Sequence, residues 1–211
     1  EGVVESSKVQ VLDGIGVNLG YWQPLAPSLA PVTFLMAARL LVEKGVREFA
    51  EAAQIVKSKH KEVRFVLVGG LDSNPGGISL NEVNSWVSCG VLEWPGHVDL
   101  RSWLKHASVF VLPSYREGLP RSTQEAMASG LPVITTDVPG CRQTVVDGVN
   151  GYVVAPRDSV GLAQAMMKFL DCPHTISQMG AQSLAMAVQR VDAKRANQQL
   201  ADALESSRGS S

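Results

Sequence analysis

The sequence predicts an α/β fold, a mostly parallel sheet covered by helices on both faces. Two observations carry this. Short apolar, β-branched runs alternate with segments of helical periodicity, which is the pattern of βαβ crossovers. The 211 residues are 45% hydrophobic and 18% charged, ordinary globular material and unlike a disordered chain.

Residues 1–30 hold a short apolar segment (Val9–Leu12), a glycine-rich turn and three prolines, Pro24, Pro27 and Pro31. They read as a linker or extended lead-in. The domain proper is expected over 31–205, with a frayed polar tail at 206–211. Val32–Ala37 is the first strand. Gly45–Lys59 follows as an amphipathic helix, with Val46, Phe49, Ala50, Ala53 and Val56 at three- and four-residue spacing. Arg64–Val68 is a buried strand stopped by Gly69 and Gly70, and Leu71–Ser79 is a loop. Asn81–Ser88 is helical, Val91–Trp94 a short strand, Leu100–His106 a short helix and Val109–Leu112 a strand. A helix is expected over Arg121–Ser129 and strands over Pro132–Thr135 and Tyr152–Val154. Helices over Ser159–Leu170, Ile176–Gln189 and Ala193–Leu204 complete the order.

Charge narrows the partners. Nineteen Lys and Arg against twenty Asp and Glu leave a net of −1, with no basic excess for a nucleic-acid backbone. No apolar run approaches the roughly 20 residues of a membrane-spanning helix. Cys89, Cys141 and Cys172 lack C-x-x-C spacing, which argues against a disulfide framework or a thiolate zinc site and suits a reducing compartment. His60, His97, His106 and His174 are scattered without ligand spacing, and only His97 falls at a strand end. The chain begins at Glu1 without a signal peptide and is expected to be a piece of a larger protein.

In parallel sheets ligands bind beyond the carboxyl ends of the strands, where strand order reverses. After the first strand, Arg39 leaves the strand end and Lys44 stands at the entrance of the next helix, two cations suited to a diphosphate. A lysine at a helix start is disfavoured by the dipole, and a bound anion would explain it. Two solvated surface charges would give the same pattern. After the fourth strand, Gly118 permits a sharp turn and close backbone approach, and Pro120 suits the first helical turn. Gly130 caps the helix. The unpaired amides from Leu119 to Thr123 would face an anion. Glu125, beside Ala126, Met127 and Ala128, needs hydrogen-bond donors if it is buried. The vicinal hydroxyls of a ribose would supply them, and an exposed helical glutamate is the alternative. Gly14, Gly16 and Gly20 miss the dinucleotide spacing by one residue and read as linker.

Glu117 and Glu125, with seven residues between them, resemble the E-x7-E motif of retaining GT-B glycosyltransferases of the large family 4, the glycogen-synthase-like group. Arg39-Leu40…Lys44-Gly45, Val66–Gly69, Gly96-His97-Val98, Pro132–Asp137 and Gly140…Gly151–Val154 extend the resemblance over residues 10–170. Asn18 stands where the family commonly has Asp, and Gln143 where it usually has Glu. The wording of Pro113–Arg142 is most similar to bacterial enzymes that build cell-surface glycans on polyprenyl-diphosphate carriers.

The resemblance implies the Rossmann-like C-terminal half of a GT-B fold. Arg39 and Lys44 would bind the donor diphosphate and steady the leaving group. Glu117 would meet the donor sugar, with the amides of Gly118 and Leu119 nearby, and Glu125 would hold the ribose. Gly69, His97, Val98 and Pro120 complete the expected donor site. The substrate is a nucleoside-diphosphate sugar, with uridine the expected base, and no metal or other cofactor is expected, since the cations do that electrostatic work. The acceptor, a glycan or polyprenyl-linked molecule, would be held by an N-terminal domain, without which this chain is expected to be inactive. The full enzyme is expected in the cytoplasm with peripheral contact at the membrane's cytoplasmic face. Two other readings are open: a sugar-nucleotide epimerase or hydrolase of the same fold, which would release nucleoside diphosphate without an acceptor, and a non-catalytic sugar-nucleotide-binding module, against which the joint presence of Arg39, Lys44, Glu117 and Glu125 argues.

Overall fold

The computed structural model describes residues 16–194 and Gln198. Six strands form one sheet: β1 (Thr33–Ala37), β2 (Arg64–Val68), β3 (Glu93–Gly96), β4 (Val109–Leu112), β5 (Val133–Thr136) and β6 (Gly151–Val154). Their spatial order is β3-β2-β1-β4-β5-β6, and every pairing is parallel. The chain winds outward from β1 to β3, then returns to β4 on the other side of β1. Strand order therefore reverses between β1 and β4, where Phe34 pairs with Val109 and Leu35 with Phe110. Such a reversal opens a crevice at the strand ends.

The helices are α1 (Val46–Lys57), α2 (Leu80–Ser88), α3 (Leu100–Leu104), α4 (Arg121–Ala128), α5 (Pro139–Arg142), α6 (Ser159–Asp171) and α7 (His174–Arg190), and Val42–Lys44 makes a single tight turn before α1. Strand side chains alternate between two cores, as the two-residue period of a strand requires. Phe34, Met36, Phe65, Leu67, Val109 and Val111 pack under α1 and α6. Leu35, Val66, Val68, Phe110, Leu112 and Val133 pack on the other face with α4 and α7.

Most boundaries shift by one or two residues from the sequence reading, and three differences have a clear physical reason. The third strand runs over Glu93–Gly96 instead of Val91–Trp94. Val91 and Leu92 are buried in the turn before it, and Pro95 is tolerated because β3 is an edge strand. Helix α5 was not anticipated, because its four residues are too few to show a period. Helix α7 begins at His174, two residues before the apolar pattern does. The apolar segment at 9–12 and nearly all of the helix expected at 193–204 lie outside the described residues.

The described part of the lead-in is fastened to the domain. Val17 N–H donates to Val191 O at 2.7 Å, and Ala193 N–H donates to Val17 O at 3.0 Å. Trp22 is buried in the core beneath α4 and α7. Gly16, with φ +65°, has no room for a Cβ, which would fall 2.5 Å from Val191 O. Its glycine thus serves this close approach of the two segments.

Candidate functional site

The site grows from the loops after β1 and β4, at the reversal of strand order. The two loops are fastened together. Gly45, left-handed at φ +74°, lies so close to Pro113 that a Cβ would come within 2.1 Å of its carbonyl oxygen. Tyr115 N–H donates to Glu43 O at 2.8 Å. Between these contacts Lys44 Nζ donates to Glu117 Oε1 at 2.7 Å, and Ser114 Oγ donates to the same oxygen at 2.8 Å. The Lys44 and Glu117 side chains are 17% and 12% exposed, so the pair is largely shielded from water. The lysine at the helix entrance therefore has a carboxylate partner within the chain.

On the far side, Gly140 in α5 supports the same loop. A Cβ there would lie 2.1 Å from Gly118 O and 2.4 Å from Glu117 O. Gly118 itself differs from expectation. Its φ is outside the left-handed range, and a Cβ on it would meet nothing within 4 Å. The close approach belongs to its carbonyl, and its Cα faces open space. Pro120 precedes α4 as its cap instead of sitting in the first turn.

Arg39 and Lys44 are not brought to one partner. Arg39 Nη1 lies 3.0 Å from Asp72 Oδ2, with 64% of its side chain exposed. The Asn74 amide, foremost, and Arg39 hold the Asp72 carboxyl below its usual range against its partial desolvation. Arg39 lines a cleft of about 440 Å³ with Leu41, Val42, Pro75, Tyr115 and Arg157.

Glu125 is enclosed, which removes the exposed-glutamate alternative. Its side chain is 12% exposed and accepts from Arg121 Nε at 3.0 Å. Burial pushes its carboxyl above the usual range, Arg121 opposes that, and Asp99 adds to it. The first backbone bond of α4 runs from Gln124 N–H to Pro120 O, so the amides of Arg121, Ser122 and Thr123 precede the hydrogen-bonded ladder.

The remaining expected residues sit at the same edge. Gly69, at the end of β2, comes within 1.8 Å of Ala38 O at its would-be Cβ position. Its N–H donates to Gly96 O and its carbonyl accepts from Trp94 Nε1, both at 2.9 Å, so its backbone polar groups are engaged within the chain and its missing side chain makes room for Ala38. His97 is exposed just past β3, and Val98 is half-buried against the α4 core. Leu119 is half-buried in a separate recess with Gln143, Arg190 and Val191. Among the described residues no three His, Cys, Asp or Glu side chains gather as a metal centre would need.

Sequence reasoning missed several residues here. Tyr115 donates its hydroxyl to Glu48 Oε1 at 2.5 Å, and burial, then that bond, push the phenol up to about 12. Arg157, at a left-handed φ of 61°, stacks its guanidinium 4.6 Å from the Tyr115 ring centre. These contacts join distant segments and leave no local signal. Arg121 did leave one, because it stands four residues before Glu125 on a helix.

Residues 31–172 match the sequence family described as glycosyl transferases group 1. The chain is 32% identical, over 183 residues, to the N,N'-diacetylbacillosaminyl-diphospho-undecaprenol alpha-1,3-N-acetylgalactosaminyltransferase of Campylobacter jejuni, covering 80% of this chain and 46% of that one. Among solved structures, the sucrose-phosphate synthase of Thermosynechococcus elongatus superposes with a TM-score of 0.81 at 25% identity, covering 93% of this chain and 52% of the other. HepE of Anabaena, in complex with UDP, superposes with a TM-score of 0.79 at 23% identity, covering 90% and 56%. The chain thus spans about half the length of each of these proteins.

Proposed function

Because this chain belongs to the glycosyl transferases group 1 family, we propose that it is the donor-binding half of a retaining glycosyltransferase. It takes a nucleoside-diphosphate sugar, with UDP as the nucleotide, and the sugar passes to a glycan or polyprenyl-diphosphate acceptor held by another domain. The observation that carries the reading is the placement of Arg39, Lys44 and Glu117 on the two loops that flank the strand-order reversal, with Lys44 against Glu117. The lipid-diphosphate named for the Campylobacter relative supports the acceptor class, and the UDP bound by HepE supports the nucleotide.

In this reading Arg39 and Lys44 neutralise the charge that gathers on the diphosphate as the sugar leaves. Cations fixed before the reaction stabilise such charge without reorganising. Glu117, already oriented by Lys44 and Ser114, accepts hydrogen bonds from the donor sugar, and the open Cα side of Gly118 leaves room beside it. Glu125 accepts from the ribose hydroxyls, which fixes the nucleotide along α4. Holding the donor in one pose lowers the entropic part of the barrier, and the acceptor domain completes the site and excludes water. The enzyme works in the cytoplasm, at the membrane face that presents the lipid-linked acceptor.

A thermal-shift panel of UDP, GDP and ADP on the 211-residue chain tests this reading. UDP at a hundred times its Kd stabilises the chain by about 2.7 kcal/mol. A melting temperature that none of the three raises would sink the proposal.

A further inference from the structure

Arg121 and Glu125 form an uneven pair. The carboxylate is enclosed at 12% exposure, while the arginine one turn earlier is 72% exposed. The charged groups that act on Glu125 are Arg121, on its own helix, and Asp99, on the loop that enters α3. Helix α4 packs against α7, β4 and β5, and Met186 and Ala187 of α7, Phe110 and Leu112 of β4 and Val133 of β5 share its apolar core. Among the described residues, Arg121 is the one cation that acts on this carboxylate.

We propose that Arg121 is a positioning residue for the nucleotide: by pairing with Oε1 it fixes the Glu125 side chain as an acceptor for the two ribose hydroxyls. This rests on the ribose reading of Glu125. An ionised carboxylate offers about four acceptor sites and no donor. Arg121 Nε occupies one, and the rest serve a ligand that brings two hydroxyl donors. Without the guanidinium, burial and Asp99 both favour the protonated acid. One oxygen then becomes a donor and meets a ribose hydroxyl less well. Arg121 acts through Glu125 and needs no contact with the nucleotide.

The test has two arms on the full chain, comparing the parent with Arg121→Gln and Arg121→Lys. In the first, carboxyl-13C NMR follows Glu125 without ligand. The resonance titrates at higher pH in Arg121→Gln, and Arg121→Lys restores the parent profile. An unchanged titration in Arg121→Gln overturns the proposal. In the second, calorimetry measures UDP and its 2′,3′-dideoxy analogue at pH 6 and pH 8. Arg121→Gln weakens UDP about tenfold at pH 8, the loss expected for one charge-assisted hydrogen bond, and by more at pH 6, where the unpaired acid holds its proton more tightly. The dideoxy analogue binds parent and variant alike. Equal weakening of both nucleotides at both pH values means that Arg121 contacts phosphate, and overturns the proposal. A parent chain that binds both nucleotides equally removes the ribose reading itself. A parent that discriminates, with a variant that does too at both pH values, removes the Arg121 role alone.

Discussion

Lys44 Nζ and Glu117 Oε1 stand 2.7 Å apart, a contact that spans 73 positions of sequence. Both groups belong to the proposed donor site, one for diphosphate and one for sugar. In this structure each neutralises the other, so a donor entering between them must share the cation with the carboxylate.

That sharing separates the two cations experimentally. Arg39→Ala and Lys44→Ala should each weaken UDP by about 10- to 100-fold, the loss of one charge-assisted contact, while uridine binding hardly changes. The melting temperature should fall only for Lys44→Ala, which leaves a shielded Glu117 without its counter-charge. The exposed Arg39–Asp72 pair contributes little to stability. Calorimetry with UDP and uridine, beside thermal melts, reads all four effects. An equal loss of both ligands would mean a damaged fold.

Glu117→Gln keeps an acceptor for Lys44 and Ser114 but removes the charge. UDP affinity should stay at or above that of the parent, because Lys44 loses its competitor. In the two-domain enzyme turnover should drop, since the carboxylate's contact strengthens in the oxocarbenium-like transition state. Full turnover by Glu117→Gln would return the residue to shaping the turn before Gly118.

Glu125 sets function against stability. Its folded-state pKa is raised above the ordinary glutamate value of 4.5, so the folded chain holds the proton more tightly than the unfolded one. Stability therefore falls as pH rises from about that unfolded value through the folded one. Glu125→Gln cannot ionise and escapes the loss. Its melting temperature should exceed the parent's at neutral pH, with the gap closing toward pH 4, while its advantage for UDP over the dideoxy nucleotide shrinks. A gap that is constant with pH would contradict the origin of the effect in Glu125.

Two glycines on facing backbones should respond oppositely. Gly140→Ala places a methyl 2.1 Å from Gly118 O and should cost about 1–3 kcal/mol through overpacking of the loop that carries Glu117. Gly118→Ala meets nothing within 4 Å and should leave stability within about 0.5 kcal/mol. It should nonetheless weaken the sugar nucleotide more than UDP, because the added methyl fills space assigned to the sugar. Thermal melts and competitive binding check both.

The strands were legible where punctuation was strong. β2 stops at Gly69 and β4 at Pro113, and both keep the predicted bounds. β3 misled because Val91 and Leu92 look like a strand yet fill the core from a turn, while the strand itself carries a proline. Within the site, Arg39, Lys44, Glu117 and Glu125 stood out because they follow strands or carry charge in apolar company. The long-range pairings did not. Glu117 with Lys44, and Tyr115 with Glu48 and Arg157, are joined by the fold across long stretches of chain, and neither periodicity nor composition encodes such a meeting.

The crossing of Val17 with Val191 and Ala193 has a mechanical consequence. Two segments far apart in sequence, at Val17 and at 191–193, run side by side, tied by two hydrogen bonds. A body tethered to only one end would swivel freely. A body tethered to both would turn about the single line through those two segments, as a door does on its hinge. Opening and closing a crevice at the strand ends would then require one angle, and the bonds of Val17 would lie close to the axis, where a rotation moves atoms least.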